Sequence, residues 1–232
     1  MKTSLVTTLS FLILALTTKP QLGASESEPI LDVYGNQVDS SHRYYLVSAL
    51  WGVKTGGGIS ADKGKNGQCP TDVIQLSPKD KRGKNLVLLP NDNSIIVRES
   101  TNIKLKFSRV SSLQQCNKDS LWKVDNDNAS LGKQFITIGE GKTCQNLFKL
   151  EKVSASIFDM KIALDIPCLY KIVHCSTPVN GSCDTLCKDV GVSNVDGVQR
   201  LVVVDDNDQP NLPLPVVLFP ADSGRSMLFP SL

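Results

Sequence analysis

Seven cysteines and two histidines are the residues of this sequence whose types could carry redox, metal or nucleophilic chemistry. No two cysteines stand in a CxxC spacing, and His42 and His174 are far apart, so the pattern does not predict a zinc site. Neither histidine accompanies a nucleophile motif such as GxSxG, so we expect no enzyme, no metal and no other cofactor. An odd number of cysteines leaves at least one unpaired within the chain. The cysteines are Cys69, Cys116, Cys144, Cys168, Cys175, Cys183 and Cys187.

The N-terminus has the pattern of a secretory signal peptide. Lys2 is followed by an apolar stretch at Leu5–Leu16 that is too short to span a bilayer comfortably, and then by small residues that end at Ala24. Residues 1–24 are therefore predicted to be removed, and the mature protein is expected outside the cell or in the vacuole. An oxidising compartment favours disulfides. The sequons at Asn128 and Asn180 are predicted glycosylation sites where they are exposed.

The rest of the chain predicts one soluble domain over residues 25–220 and a short tail over 221–232. A net charge of +2 gives no electrostatic case for nucleic acid, which needs concentrated basic residues. No long apolar run follows the leader, so we expect no membrane span in the mature protein.

Short apolar or alternating segments predict that the domain is all-β. In Ile103–Phe107, apolar and charged residues alternate strictly, which places one face of a strand in a core and the other in water. Gly, Asn, Asp, Ser or Pro separates most segments, and strands at this density are typical of a barrel, a trefoil or a sandwich. The predicted strands lie at Tyr44–Val47, Val73–Leu76, Leu86–Leu89, Ile103–Phe107, Leu121–Val124, Phe135–Ile138, Leu147–Val153, Leu169–His174, Arg200–Val204 and Val216–Phe219.

Several motifs resemble the plant Kunitz (soybean trypsin inhibitor) family at that family's spacing. They begin with Ile30-Leu-Asp-Val-Tyr-Gly-Asn-Gln-Val38 and Tyr44-Tyr-Leu46, and continue through Cys69-Pro70 and Trp122 to Cys187-Lys-Asp-Val-Gly191. The region before Cys187 is similar to the miraculin-like branch. The resemblance implies a disulfide-bonded β-trefoil of twelve strands, in which hairpins cap a barrel with pseudo-threefold symmetry.

The same resemblance implies two disulfides, Cys69–Cys116 and Cys175–Cys187. Three further cysteines depart from the basic pattern of four. Cys168 is a candidate partner for either Cys183 or Cys144, because connectivity cannot be deduced from spacing.

Family inhibitors insert an exposed loop into a protease as a substrate would. Counting without gaps places the reactive bond here between Asn93 and Ser94. Asn93 would then occupy the primary-specificity (P1) position, where it cannot neutralise the aspartate at the base of a trypsin-like pocket, so we expect weak or absent trypsin inhibition. An asparagine at P1 suits an asparagine-specific cysteine endopeptidase, as inhibitor or substrate. The predicted reactive loop comprises Asn91, Asp92, Asn93, Ser94 and Ile95.

Two further features bear on the loop. Ser40 stands where the family often has a loop-bracing asparagine, which predicts weaker support from that side chain. A basic, turn-like segment offers Lys81 or Arg82 as an alternative inhibitory site, against the simpler interpretation of a solvated hairpin tip.

These observations predict that the protein is a monomeric protease inhibitor whose partner is a target endopeptidase. The serine class is favoured, and an asparaginyl or other cysteine protease is the alternative partner. The competing function is a storage or ligand-binding trefoil without inhibition, and a third is inhibition of cysteine or aspartic proteases through another surface.

Overall fold

Six strands of the protein close into a barrel. The computed structural model describes residues 27–49, 56–63, 69–78, 82–108, 120–125, 132–153, 168–179, 182–204 and 213–222. Around the barrel they follow the order β12, β1, β4, β5, β8 and β9, and β9 pairs again with β12. All of these pairings are antiparallel. The barrel strands are β1 (Tyr44–Ser48), β4 (Asn85–Pro90), β5 (Ile103–Phe107), β8 (Phe148–Lys152), β9 (Tyr170–Val179) and β12 (Pro215–Pro220).

The other six strands form three hairpins that cap the barrel. β3 pairs with β7 and β11, and β11 also pairs with β7, so the three hairpins meet one another. Each third of the chain supplies a barrel strand, a hairpin and a second barrel strand. This is a β-trefoil, and it confirms the fold that the resemblance implied. The cap strands are β2 (Ile59–Lys63), β3 (Pro70–Gln75), β6 (Trp122–Asp125), β7 (Gln134–Ile138), β10 (Ser182–Val195) and β11 (Val198–Val203).

All ten segments predicted as strands are strands, and two observed strands were missed. β2 has the sequence Ile-Ser-Ala-Asp-Lys, in which Ile59 is the only large apolar residue, so its apolar signal is weak. β10 contains a glycine, several polar residues and a register irregularity between Ser182 and Thr185, which breaks its period of two. Both strands are therefore defined by pairing with neighbours rather than by their own apolar pattern.

Alternation along the barrel strands builds the core. Ile103, Leu105 and Phe107 are buried while the lysines between them are half-buried, as the sequence predicted. Tyr44 is buried and its neighbour Tyr45 is half-buried, so only the first ring of the pair enters the core. Burying a large apolar side chain contributes about 2 kcal/mol, so these positions hold the barrel together.

Aromatic rings link the barrel to the cap. The Trp122 ring lies 5.4 Å from that of Phe107 and 6.2 Å from that of Phe148, measured between ring centroids. The Phe148 ring in turn lies 5.4 Å from the ring of His174. Because Trp122 belongs to β6 and the others to barrel strands, this row of rings joins the two layers.

The disulfides agree with the implied pattern in part. Cys175 is bonded to Cys187, as the resemblance implied. Cys144 is bonded to Cys183, so the expectation that Cys168 pairs with either of them is wrong. Cys168 is a free thiol buried in the core, and burial raises its pKa, which keeps the thiol protonated. Cys69 is disulfide-bonded, but Cys116 lies outside the described residues, so their pairing stays a prediction.

The barrel has two distinct ends. The β4–β5 connection, the N-terminal segment and the end of β12 lie at one end, which we call the loop end. The three hairpins lie at the other, the cap end. Among the described residues, no helix is long and apolar enough to cross a membrane, and no cluster of His, Cys, Asp or Glu could hold a metal ion. The leader at 1–24, Lys81, both sequons and the tail beyond residue 222 lie outside the described residues.

Candidate functional site

The predicted reactive loop leaves β4 at the loop end of the barrel and is closed at its base by the backbone. The Asn91 amide donates a hydrogen bond of 2.9 Å to the carbonyl of Asn102, just before β5 begins. At the tip, Asn93 has a φ of +61°, in the left-handed region. Asparagine tolerates this region better than most residues, which explains how the loop turns here without a glycine.

Hydrogen bonds within the loop fix its turn. The Asn93 amide donates to the carbonyl of Pro90 at 3.3 Å. The Ser94 amide donates to Oδ1 of Asp92 at 3.0 Å, and the Ser94 hydroxyl donates to the carbonyl of Ile96 at 3.1 Å. The bonds to Ser94 lower the pKa of Asp92, because they stabilise its carboxylate form.

The N-terminal segment braces the far side of the loop. The Ser40 amide donates to the carbonyl of Ile95 at 2.9 Å, and the Val97 amide donates to the carbonyl of Val38, also at 2.9 Å. The Ile30 amide completes the brace by donating to the carbonyl of Val97 at 2.9 Å. Ser40 thus supports the loop through its backbone, which any residue at that position supplies. The sequence indicated a role for Ser40 but not for Val38 or Val97, whose contribution is also a backbone one.

The loop presents a narrow exposed tip. Asn91, Asp92 and Asn93 are exposed, Ser94 is half-buried, and the Ile95 side chain is 66% exposed. All five predicted loop residues are therefore brought together on one accessible segment with both flanks tied down. Such a segment can bind another protein with little loss of chain entropy, because most of its backbone is already ordered.

The alternative basic site is described only in part. Arg82 is exposed, and its backbone packs so closely on Gly58 that a Cβ there would lie 2.3 Å from the Arg82 carbonyl carbon. The Lys84 amide donates to the carbonyl of Ile59 at 2.9 Å. Arg82 therefore sits on a fixed backbone at the start of β4, although Lys81 lies outside the described residues.

A serine, a histidine and an aspartate also meet at the loop end. His42 Nδ1 lies 2.8 Å from Oδ1 of Asp39 and 3.1 Å from Oγ of Ser41, and that hydroxyl donates to the same carboxylate at 2.6 Å. A Ser-His-Asp relay needs the serine and the carboxylate on opposite ring nitrogens. Here both lie on Nδ1, so the group does not have the geometry of a catalytic triad.

Comparisons with known proteins place this site in a family. Residues 30–218 match the legume Kunitz family described as "Trypsin and protease inhibitor". The chain is 31% identical to miraculin of Synsepalum dulcificum, with 83% of this chain and 87% of that protein covered. It is equally similar to Kunitz trypsin inhibitor 5 of Arabidopsis thaliana, at 31% identity over 84% of this chain and 91% of the relative. A cysteine protease inhibitor of Solanum tuberosum is 28% identical over 76% of this chain and 87% of its own length.

Solved structures agree with the sequence relatives. The fold superposes on soybean trypsin inhibitor from its complex with porcine pancreatic trypsin with a TM-score of 0.64 and 26% identity, covering 84% of this chain and all of the other. The chain belongs to the Kunitz-type family of trypsin and other protease inhibitors.

Proposed function

We propose that this protein is a secreted inhibitor of an endopeptidase and that Asn91–Ile95 is the segment that contacts the protease. The observation that carries the proposal is the exposed loop at the loop end of the barrel, which backbone hydrogen bonds hold on both sides. Its relatives include inhibitors of both serine and cysteine proteases. The leader pattern supports secretion.

Trypsin is a poor candidate target for this loop. The trypsin pocket buries an aspartate, and an asparagine at P1 would leave that charge unpaired at a cost of several kcal/mol. The left-handed backbone at Asn93 is a further obstacle, and it applies to every protease that binds its substrate in an extended conformation. Docking as a substrate would require Asn93 to become extended and would break the bond from the Ser94 amide to Asp92.

An endopeptidase that accepts asparagine at P1 fits the loop better. Asn93 is exposed in the turn, next to the half-buried Ser94. Because the Ile95 and Val97 backbones are held by the N-terminal segment, the two sides of a cleaved Asn93–Ser94 bond would remain close, which favours resynthesis over release.

A trefoil that binds a ligand without inhibiting a protease is the second candidate. The observation that favours it is the same turn at Asn93, since a P1 residue with φ +61° is not shaped as a substrate. Inhibition of a cysteine or aspartic protease through another surface is a variant of the first proposal, in which the loop would be dispensable.

A panel assay with three forms of the mature protein tests the proposal. Wild type, Asn93→Arg and Asn91→Arg are measured against trypsin, chymotrypsin, subtilisin, a papain-like protease, an aspartic protease and an asparaginyl endopeptidase. We expect wild type to inhibit the asparaginyl enzyme or to be cut by it after Asn93, and to inhibit trypsin weakly. Asn93→Arg should strengthen trypsin inhibition about a hundredfold by supplying the charge that the pocket needs.

Asn91→Arg is the matched control, because it adds the same charge to the same exposed loop two residues away. An equal gain in trypsin inhibition from both variants would contradict Asn93 as the P1 residue, and nanomolar trypsin inhibition by wild type would contradict the loop chemistry. No inhibition of any protease by wild type would support the second candidate instead.

A further inference from the structure

A cleft of about 520 Å³ lies at the loop end, apart from the exposed tip of the reactive loop. Its walls are the N-terminal turn that contains Tyr34 and Gln37, the start of β1 with His42 and Arg43, and the end of β12 with Asp222. Small-molecule sites in proteins are clefts of about 300–1,000 Å³, so this one has the size of a ligand site.

The ionic side chains of the cleft already have partners within it. His42 Nδ1 lies 2.8 Å from Asp39, and Arg43 holds Asp222 with Nη2 at 2.6 Å and Nε at 3.3 Å. The Asp32 carboxylate accepts the amide of Tyr34 at 2.8 Å and other donors of the same turn. A charged ligand would have to break one of these arrangements, so a neutral ligand is favoured.

The hydrogen-bonding groups that remain are of both kinds. Within the part of the chain that the structure describes, no residue bonds the side-chain amide of Gln37, which offers two donors and an acceptor. His42 is engaged through Nδ1, which leaves Nε2 for a ligand, and Arg43 retains donors on Nη1. The carboxylates of Asp39 and Asp222 each keep lone pairs. The cleft thus offers both donors and acceptors.

A hydroxyl group matches such walls better than an ion does. It donates and accepts at once, whereas an ammonium group only donates and a phosphate or sulfate only accepts. An ammonium ligand would leave the donors of Gln37 and Arg43 without acceptors, and an anion would face three carboxylates. A ligand with several hydroxyl groups satisfies both sets.

An aromatic ring completes the site. The Tyr34 side chain is 41% exposed at the cleft, and its ring offers an apolar surface beside polar groups. The C–H face of a sugar ring is apolar while its rim carries hydroxyls, so a sugar can pack on Tyr34 and bond the walls together.

We infer that this cleft binds a neutral sugar, such as the end of an oligosaccharide or glycan. The inference does not depend on protease inhibition, because no cleft residue belongs to the predicted reactive loop. Asp39 is the nearest link, since its backbone pairs with Ile96 on the far side of that loop.

Titration by NMR tests the inference on the mature protein. The probes are methyl glycosides of glucose, galactose and mannose, N-acetylglucosamine, spermidine as a cation and inorganic sulfate as an anion. We expect at least one sugar to shift the backbone signals of Tyr34, Gln37 and His42 saturably, with a Kd on the order of 1 mM. Tyr34→Ala and Gln37→Ala should each weaken that binding about tenfold or more.

Gln199→Ala is the matched control, because it removes the same amide from β11 at the cap end and should leave sugar binding unchanged. Tyr34 and Gln37 are exposed, and thermal unfolding checks that each variant is folded. The inference is overturned if no sugar shifts these signals, if spermidine or sulfate shifts them more strongly than every sugar, or if Gln199→Ala loses binding as well.

Discussion

Two exposed segments at opposite ends of the barrel share one backbone feature and are restrained by different means. At the loop end, Asn93 has a φ of +61° and is held by backbone hydrogen bonds. At the cap end, Leu186 has a φ of +50° in β10, just after the register irregularity that lies between Ser182 and Thr185, and its side chain is 69% exposed. Cys183 and Cys187 flank it, and each belongs to a disulfide.

The difference follows from residue type. Asparagine enters the left-handed region at little cost, so hydrogen bonds suffice to hold Asn93. A leucine there costs about 1–2 kcal/mol, which requires a stronger constraint. The covalent links on both sides of Leu186 supply that constraint. The loop end is therefore held by hydrogen bonds alone, while the cap-end segment is also held by covalent links.

Removing the Cys144–Cys183 disulfide should produce the largest effect. The bridge spans 39 residues, and on the chain-entropy model the double variant Cys144→Ala/Cys183→Ala should lose about 4 kcal/mol of unfolding free energy. Urea unfolding measures the loss, and hydrogen exchange should rise in β10 while the Val97 amide at the loop end stays protected.

Cys168→Ala is the control, since it removes a buried thiol that forms no bridge. A double variant no less stable than Cys168→Ala would show that the bridge does not stabilise the cap end. A double variant that exposes the Val97 amide first would show that the two ends are not restrained independently.

Glycine substitutions at the two left-handed positions should have a smaller and unequal effect. Leu186→Gly removes the strain of a leucine at positive φ and should stabilise the protein by about 1 kcal/mol, or roughly 2–4 °C in Tm. Asn93→Gly should change stability by only a few tenths of a kcal/mol, because asparagine already tolerates the conformation. Calorimetry measures the Tm of both variants. A lower Tm for Leu186→Gly would show that packing of the leucine side chain outweighs its backbone strain.

Acidification should lower the stability of the cap end before it affects the loop end, and neither end should be affected at neutral pH. His174 lies at the base of the β9–β10 hairpin, opposite Lys188, and its Nδ1 donates to the carbonyl of Leu147 at 3.0 Å. Burial lowers its pKa, so the unfolded chain binds a proton that the folded protein does not. The unfolding free energy is therefore highest, with respect to His174, above about pH 6.5, and it falls as the pH drops below that value.

At the loop end, the lowered pKa of Asp92 preserves the bond from the Ser94 amide until the pH falls below the ordinary aspartate range.

Urea unfolding at about pH 7.5 and at about pH 5 tests the role of His174. The unfolding free energy should be lower at the acidic pH in wild type and unchanged in His174→Gln. Substitution of the exposed His42 by Gln is the control, and the decline must persist there. An equal decline in His174→Gln would assign the acid sensitivity elsewhere.

Much of the architecture could be predicted from local sequence. Strict alternation in Ile103–Phe107 gave a half-buried strand, and the N-terminal and cysteine motifs implied the trefoil and the Cys175–Cys187 bridge. The strands β2 and β10 were not predicted, because their own sequences carry only a weak apolar pattern and their positions are defined by pairing with other strands. The pairing of Cys144 with Cys183 likewise depended on which ends of β8 and β10 meet in space.

The sequence by itself determined the residue types of the loop, including Asn93, and with them the expectation that trypsin is a poor target. Only the tertiary structure decided that Asn93 turns into the left-handed region and that Ser40, Val38 and Val97 brace the loop through backbone groups. Backbone hydrogen bonds carry no side-chain signature, so such support cannot be read from residue identity. The cleft beside Tyr34 and Asp222 arises for the same reason, since its walls meet only when the barrel closes.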